Sequence, residues 1–311
     1  MTNYCEGKVA VVTGAGGTLC GPIAVDLAKK GAKVVLIGRS AAKLEKTRDA
    51  IVAAVGANGQ DARCPSERGD KTGTTGVPPV ASPDEYVRVE TGDVTDEAAM
   101  QGIAERVEAE WGPCRFLVNG AGGNQAAALT TRLQFDPAEL SGPMAGGEKG
   151  WWDVDLKVFE SVLLTNTMGT VIPSRVFAKQ MAAAGGGAII NFGSMNTYRP
   201  LTRVAAYAMS KAAIANWTQF LAQYLAPAKI RVNAIAPGFF VNDRSRKILC
   251  TPEGGLTARG EQVMAHTPAR RFGEAEELLG CVDWLLDDAK SGFVTGITVP
   301  VDGGFLASAG V

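Results

Sequence analysis

Tyr207 and Lys211 stand four residues apart, so a helix would present both on one face. A free phenol has a pKa of about 10 and is a poor acid–base group at neutral pH. A neighbouring ammonium favours the phenolate and draws that value down. The pair alone is a common accident of solvated helix faces. Ser194 stands 13 residues before Tyr207, directly after the apolar run ending Asn191-Phe192-Gly193. Its hydroxyl is suited to hydrogen-bond a reacting oxygen as charge develops there. Asn166 lies 28 residues before Ser194, and taken alone it reads as a polar helix residue. Together these residue types can exchange a proton with a substrate oxygen and steady the charge on it.

Such residues need a scaffold. Short β-branched runs alternate with helical stretches along the chain. Strands are expected at Val9–Thr13, Val34–Ile37, Tyr86–Glu90, Phe116–Asn119, Ala188–Phe192 and Arg231–Ile235, with a last short one near Ile297–Val299. Most are continuously apolar, as buried parallel strands are. Met100, Ile103, Ala104, Val107 and Trp111 fall on one helical stripe, and Leu278, Leu279, Val282, Leu285 and Leu286 on another. The expected fold is α/β, a doubly wound parallel sheet (Rossmann fold) of about seven strands with helices on both faces. Ligands bind such sheets beyond the carboxyl ends of the strands. Residues 1–311 read as one domain, since single α/β domains often run to ~250 residues. Two segments break the rhythm. Ala57 to Pro83 holds four glycines, four prolines and almost no large apolar residue, and reads as a surface insertion. Residues 123–150 form a long loop on the ligand side of the fourth strand, as a lid or part of a substrate pocket.

The first strand runs into Thr13-Gly14-Ala15-Gly16-Gly17 and then a helical pattern with Ile23, Ala24, Leu27 and Ala28. Glycines let a backbone approach a pyrophosphate, and a helix N-terminus offers N–H donors. At the end of the second strand an acid would bind a ribose 2′-hydroxyl. Here Gly38 is followed by Arg39 and Ser40, with no carboxylate to repel a 2′-phosphate. NADP is therefore preferred, with NAD open because Arg39 would serve equally by stacking on adenine.

With these residues in view, the chain resembles the short-chain dehydrogenase/reductase family. That family's turn reads T-G-x-x-x-G-x-G. Thr13 and Gly14 match it, while its next two glycines fall on Thr18 and Cys20, which makes this turn bulkier. The resemblance places the cofactor against Gly14, Gly17, Thr18, Leu19, Arg39, Ser40, Asp93, Val94, Asn119, Gly120, Ala121, Tyr207, Lys211, Pro237, Gly238 and Val241. Asp93 would reach the adenine; its other reading is a helix N-cap near Thr95. Asn119-Gly120-Ala121-Gly122 stands where the family has N-A-G, with Gly120 in place of Ala. The resemblance also implies the roles of the catalytic set Asn166, Ser194, Tyr207 and Lys211. Tyr207 would exchange the substrate proton during hydride exchange with nicotinamide, Lys211 would hold the nicotinamide ribose, and Asn166 would support a water relay. A homotetramer packing the Tyr207 helix and its predecessor between subunits is implied too.

Within the family, Gly122-Gly123-Asn124, Met195-Asn196, Arg199-Pro200-Leu201-Thr202-Arg203 and Pro237-Gly238-Phe239-Phe240 are similar to the D-mannonate oxidoreductases, or fructuronate reductases. A sugar acid needs a carboxylate receptor and hydroxyl partners. Arg199 and Arg203 could supply the first, or could be surface or interface residues; Asn124 and Asn196 could supply the second. The rival readings are an enzyme for another carbonyl compound, such as an uncharged sugar or an oxoacyl thioester, and a dinucleotide sensor without turnover.

Composition narrows the field. The chain has 31 Lys plus Arg against 32 Asp plus Glu, so no nucleic-acid partner is expected through bulk charge. No apolar run reaches ~18 residues, and no secretory leader is visible, so a cytoplasmic protein without membrane partners is expected. Six scattered cysteines read as reduced thiols. His266 is a single histidine and cannot anchor a zinc site; a structural role is expected, and no metal.

Overall fold

The computed structural model describes residues 3–61, 82–142, 144–241 and 243–308. Seven strands form one parallel sheet in the order β3-β2-β1-β4-β5-β6-β7. They are β1 Val9–Thr13, β2 Lys33–Gly38, β3 Val87–Thr91, β4 Cys114–Asn119, β5 Gly187–Phe192, β6 Ile230–Pro237 and β7 Thr298–Val301. The expected strands are all present, shifted by at most a few residues at their ends. Strand side chains divide by parity. Val34 and Leu36 of β2 join one core with Ile23, Leu27, Ile51 and Leu285. Val35 and Ile37 join the other with Met100, Ile103, Phe177 and Leu221.

The first core is covered by α1 Cys20–Lys29, α2 Ala41–Asp61 and α8 Leu279–Leu286, the second by α3 Glu97–Trp111, α4 Leu156–Ala183 and α5 Ala205–Leu225. Local chemistry sets several ends. Asp96 caps α3 by accepting from Ala99 N at 3.0 Å, and Gly112 ends it at φ 88°. Asp155 caps α4 through Lys157 N and Val158 N. Helix α2 runs to Asp61, so the start of the expected insertion is helical; residues 62–81 of it lie outside the described residues.

Between β6 and β7 the chain forms α6 Asp243–Leu249, a bridge between Cys250 and Leu256, α7 Ala258–His266, then α8 and α9 Asp288–Ser291. The 123–150 loop is built rather than open. It holds 3-10 turns at Ala126–Ala128, Pro137–Ser141 and Ala145–Gly147. Arg132 ties it together, 2.6 Å from both Asp136 Oδ2 and Glu148 Oε2. Among the described residues no helix is long and apolar enough to cross a membrane.

A buried polar chain crosses the sheet between α4 and α5. Asn119 Nδ2 donates to Ser174 Oγ and to Asn191 Oδ1, each at 2.9 Å. Asn191 Nδ2 donates to Thr218 Oγ1 at 3.0 Å. The hydroxyls of Ser174 and Thr218 return to their own helices at Thr170 O and Ile214 O. These bonds lock α4 and α5 to β4 and β5 about two helical turns from Asn166 and Lys211. Replacing Asn191 by Ala takes one of two partners from the Asn119 amide nitrogen and the donor from the Thr218 hydroxyl, which keeps its bond to Ile214 O. We expect Asn191→Ala to cost about 1–3 kcal/mol and to lower turnover as the helices lose registration. Urea unfolding checks it; an unchanged midpoint would mean that apolar packing alone places these helices.

Candidate active site

The strand order reverses between β1 and β4, and their carboxyl ends open the crevice where such sheets bind ligands. Thr13 closes the two ends. Its Oγ1 accepts from Gly120 N at 3.1 Å and Ala121 N at 3.2 Å. Gly14 follows at φ 67°, and a Cβ there would stand 2.8 Å from the Gly120 and Ala121 backbone. Only glycine meets both demands.

A groove of about 270 Å³ runs from this turn past the ends of β2 and β3. Gly14, Gly17, Arg39, Ser40, Asp93, Val94, Gly120 and Ala121 line it, as expected from the sequence. Gly16, Gly38 and Gly122 of the glycine motifs line it too, and so do Lys43, Leu44, Gly92 and Thr165, which sequence reasoning missed. Nearly half the lining is glycine, so backbone rather than side chain faces the cavity. Asp93 Oδ1 accepts from Thr95 N at 2.9 Å and Thr95 Oγ1 at 2.7 Å, and these bonds hold its carboxyl below the usual range, with Arg39 adding to the effect. Asp93 therefore stays an anionic acceptor, while Asp96 takes the helix cap. An open cradle of glycine backbone with an acid at one end and Arg39, Ser40 and Lys43 at its flank fits a nicotinamide dinucleotide.

The remaining expected cofactor residues are placed differently. Thr18 lines an adjoining cavity of about 680 Å³ between α1 and α2, which shares Gly16, Gly17 and Lys43 with the groove. Leu19 is the N-cap of α1 and packs on the first core. Asn119 is buried, with its Nδ2 spent on Ser174 and Asn191 and its Oδ1 unpartnered, and it stands beneath the groove rather than lining it. Pro237 is buried at the end of β6. Gly238 N donates to Val301 O at 2.9 Å, and Val241 is half-buried beyond it.

Cys20 answers the bulk expected in the turn. It is buried, and a Cβ on Gly120 would overlap its Sγ. The sulfur thus fills the space that a residue larger than glycine at 120 would need. Burial pushes the Cys20 thiol up to about 12, so it stays protonated.

Ser194, Tyr207, Lys211 and Asn166 come together at the ends of β5 and β4. Ser194 caps the short turn Met195–Thr197 and shares a side-chain hydrogen bond with Tyr207. Lys211 Nζ donates to Phe192 O at 2.7 Å and lies 5.5 Å from the Tyr207 ring centroid. Burial pushes the Tyr207 phenol up, against the pull of Ser194, and draws the Lys211 ammonium down to about 8. Both groups are thereby biased to their neutral forms. Asn166 Oδ1 accepts from Gly123 N at 3.1 Å, and its Nδ2 donates to Gly123 O and Val162 O, each at 2.8 Å. A Cβ on Gly122 would lie 2.5 Å from Asn166 Oδ1 and 3.8 Å from Lys211 Nζ.

Of the expected substrate residues, Asn196 is committed: Nδ2 donates to Ser194 Oγ at 3.3 Å and Oδ1 accepts from Leu201 N at 2.8 Å. It positions the Ser194 hydroxyl instead of standing open. Asn124 Oδ1 accepts from Gln125 N at 2.9 Å. Arg199 and Arg203 are exposed on the loop leading to α5. His266 ends α7 with Nδ1 2.7 Å from Gln262 O, the structural role expected of it.

A family model described as Enoyl-(Acyl carrier protein) reductase matches residues 66–306, well over half of the chain. An uncharacterized oxidoreductase named UxuB from Bacillus subtilis strain 168 is 38% identical over 305 residues, covering 98% of this chain and 97% of that protein. This chain belongs to the short-chain dehydrogenase/reductase family. It is an NAD(P)-dependent oxidoreductase of alcohol and carbonyl substrates. A galactitol 2-dehydrogenase (L-tagatose-forming) of Cereibacter sphaeroides is 31% identical, covering 96% of this chain and 95% of that one. A Haemophilus influenza crystal structure with bound NAD, provisionally described as a D-mannonate oxidoreductase, matches with a TM-score of 0.82 and 35% identity, covering 98% and 97%.

Two experiments test the geometry. Gly120→Ala should weaken cofactor binding or stability, and Cys20→Gly in the same chain should restore it, with a coupling of about 1–3 kcal/mol in the double-mutant cycle; simple additivity would show that the two sites do not meet. Lys211 releases its proton near pH 8 folded and higher when unfolded, so charged burial costs stability at neutral pH and that cost is relieved as pH rises through 8. Lys211→Met should therefore gain stability over the parent at pH 7, by a margin that shrinks toward pH 10. A margin flat with pH in thermal melts would contradict the buried charge.

Proposed function

We propose that this enzyme interconverts the secondary alcohol and ketone forms of a sugar acid of the D-mannonate/fructuronate kind. The observation that carries the reaction is the Ser194–Tyr207–Lys211 cluster, seated beside the glycine-lined groove. The sugar-acid reading rests on the Haemophilus structure and on two exposed arginines, Arg199 and Arg203, between Ser194 and Tyr207.

Tyr207 is the acid–base group. It gives its phenolic proton to the substrate oxygen in reduction and takes the hydroxyl proton in oxidation. Burial keeps it loaded with that proton in the resting site. Ser194 holds the same substrate oxygen and steadies the charge that develops on it. When bound, the nicotinamide dinucleotide supplies or accepts the hydrogen and electron pair at the reacting carbon. Lys211, fixed at Phe192 O, brings positive charge toward the phenol and favours its ionised form in oxidation. Asn166 clamps Gly123 and so shapes the backbone beside Lys211.

NADP is the preferred cofactor in this reading, because Arg39, Ser40 and Lys43 flank the groove at the end of β2. NAD is the second reading: Asp93 already faces Arg39, and the Haemophilus structure holds NAD. Exposed Leu164 and Met168 on α4 and Phe220 and Tyr224 on α5 suit a homo-oligomer built on those helices, a tetramer in the family pattern.

Initial rates at 340 nm with D-mannonate and fructuronate, each with NAD(H) and NADP(H), test the proposal. Turnover of these acids above matched neutral polyols is expected. Tyr207→Phe should lower kcat by about 10²–10⁴-fold while reduced cofactor still binds. Full activity in that variant would remove Tyr207 from the mechanism.

A further inference from the structure

We propose that Asn196 is a positioning residue whose side-chain amide holds the Ser194 hydroxyl as a donor, with its hydrogen turned to the reacting oxygen. The proposal rests on the Ser194–Tyr207 reading above and adds a residue to it. Both side chains are buried, Ser194 at 6% exposure and Asn196 at 5%. A serine hydroxyl has one hydrogen to give and two lone pairs to fill. Here one residue fills both lone pairs. Asn196 N and Asn196 Nδ2 each donate to Ser194 Oγ at 3.3 Å. What remains is the hydrogen, and Tyr207 shares a side-chain hydrogen bond with Ser194.

The amide cannot turn over to accept instead. Leu201 N donates to Asn196 Oδ1 at 2.8 Å, and a flipped amide would set Nδ2 against that N–H. Leu201 belongs to the loop before α5, so the segment that enters the helix of Tyr207 also sets the direction of the Ser194 bond. A different residue holds the backbone of Ser194. Thr197 Oγ1 accepts from Ser194 N at 3.2 Å and donates to Lys211 O at 3.0 Å. Thr197 fixes where Ser194 stands, and Asn196 fixes which way its hydroxyl points.

Direction matters because serine and phenol can bond either way. When serine accepts, the phenol's hydrogen is spent on it and the neutral phenol is favoured. When serine donates, the phenolate is favoured and the phenol's own hydrogen stays available to substrate. Two donors on the serine oxygen also polarise its O–H and make it a stronger donor. Burial raises the phenol and Ser194 draws it back, the sign of a donating serine. Lys211 is the charged side chain beside the ring, 5.5 Å from its centroid, and Cys20, which feels the charge of Lys211, stays protonated. Tyr207 otherwise packs with Ala128, Val162 and Ala206, which carry no charge.

The test compares Asn196→Ala and Asn196→Asp with the parent, each also in a Ser194→Ala background. Asp keeps the acceptor for Leu201 N but has no hydrogen for Ser194, and it draws the serine's hydrogen to itself; it also carries the comparison if the Ala chain does not accumulate. Oxidation rates are read with D-mannonate and with galactitol as probes. Both changes should lower kcat about 10- to 100-fold with KM nearly unchanged, and Ser194→Ala should lose at least as much. In the Ser194→Ala background either change should add less than about twofold, because Asn196 acts through that hydroxyl. The phenol titration needs no substrate. It is read as the ultraviolet tyrosinate signal of each chain minus that of its Tyr207→Phe counterpart, and it should move to higher pH in Asn196→Ala. Parent-like kcat in Asn196→Asp, an equal loss with and without Ser194, or an unmoved phenol titration would each reduce Asn196 to a tie for the loop and overturn the proposal. If Tyr207→Phe keeps full activity, the reading of the site falls and the proposal with it.

Discussion

A buried ammonium must find an acceptor, and here the acceptor is the carbonyl of Phe192, the last residue of β5. A parallel strand's final carbonyl has left its ladder and is free to receive such a bond. Everything near the chemistry follows from that contact. Tyr207 is one helical turn before Lys211, so fixing Nζ against the strand also fixes the phenol over the sheet edge. Ser194, two residues beyond Phe192, is carried to the same place by the same strand. Beside it, Gly122 leaves room for Asn166: a methyl at 122 would stand 2.5 Å from Asn166 Oδ1, whereas its 3.8 Å to Lys211 Nζ is ordinary contact.

The contact works only because α4 and α5 cannot drift. Apolar packing sets the distance of a helix from a sheet but tolerates rotation and sliding. The Ser174–Asn119–Asn191–Thr218 chain removes that freedom, because each bond has a preferred direction and each loss strands a buried group. Cys20 and Gly120 apply the same logic to the turn. A cysteine in a glycine-rich turn reads as an obstruction, and a glycine at 120 reads as a weakening. Placed against each other they fill one space, with the groove left to backbone.

The strands were legible as local apolar runs, and the Ser194–Tyr207–Lys211 set by a spacing that resembles the family's; the division of the strand faces between two cores was not. Asn119, Asn124 and Asn196 were legible as polar residues at the ligand edge, yet spacing cannot say whether an amide is free or already spent. Leu201 N and Ser194 Oγ claim Asn196, and Ser174 with Asn191 claims Asn119. Lys43 and Thr165 escaped notice because they reach the groove from helices, one turn or more from any turn motif.

The described residues divide into what is rigid and what is free to vary. The Ser194–Tyr207–Lys211 cluster and the glycine-lined groove rest on strand ends and on two helices pinned to them, where a displaced atom costs a buried group its partner. Around them stand the 123–150 loop, the loop before α5 and the segment that follows β6. There the 3-10 turns are held by exposed or half-exposed ion pairs such as those of Arg132, which contribute modestly. Substitutions in these loops change pocket chemistry at little cost to the sheet. A relative 31% identical along nearly its whole length can therefore share the scaffold while its name records galactitol.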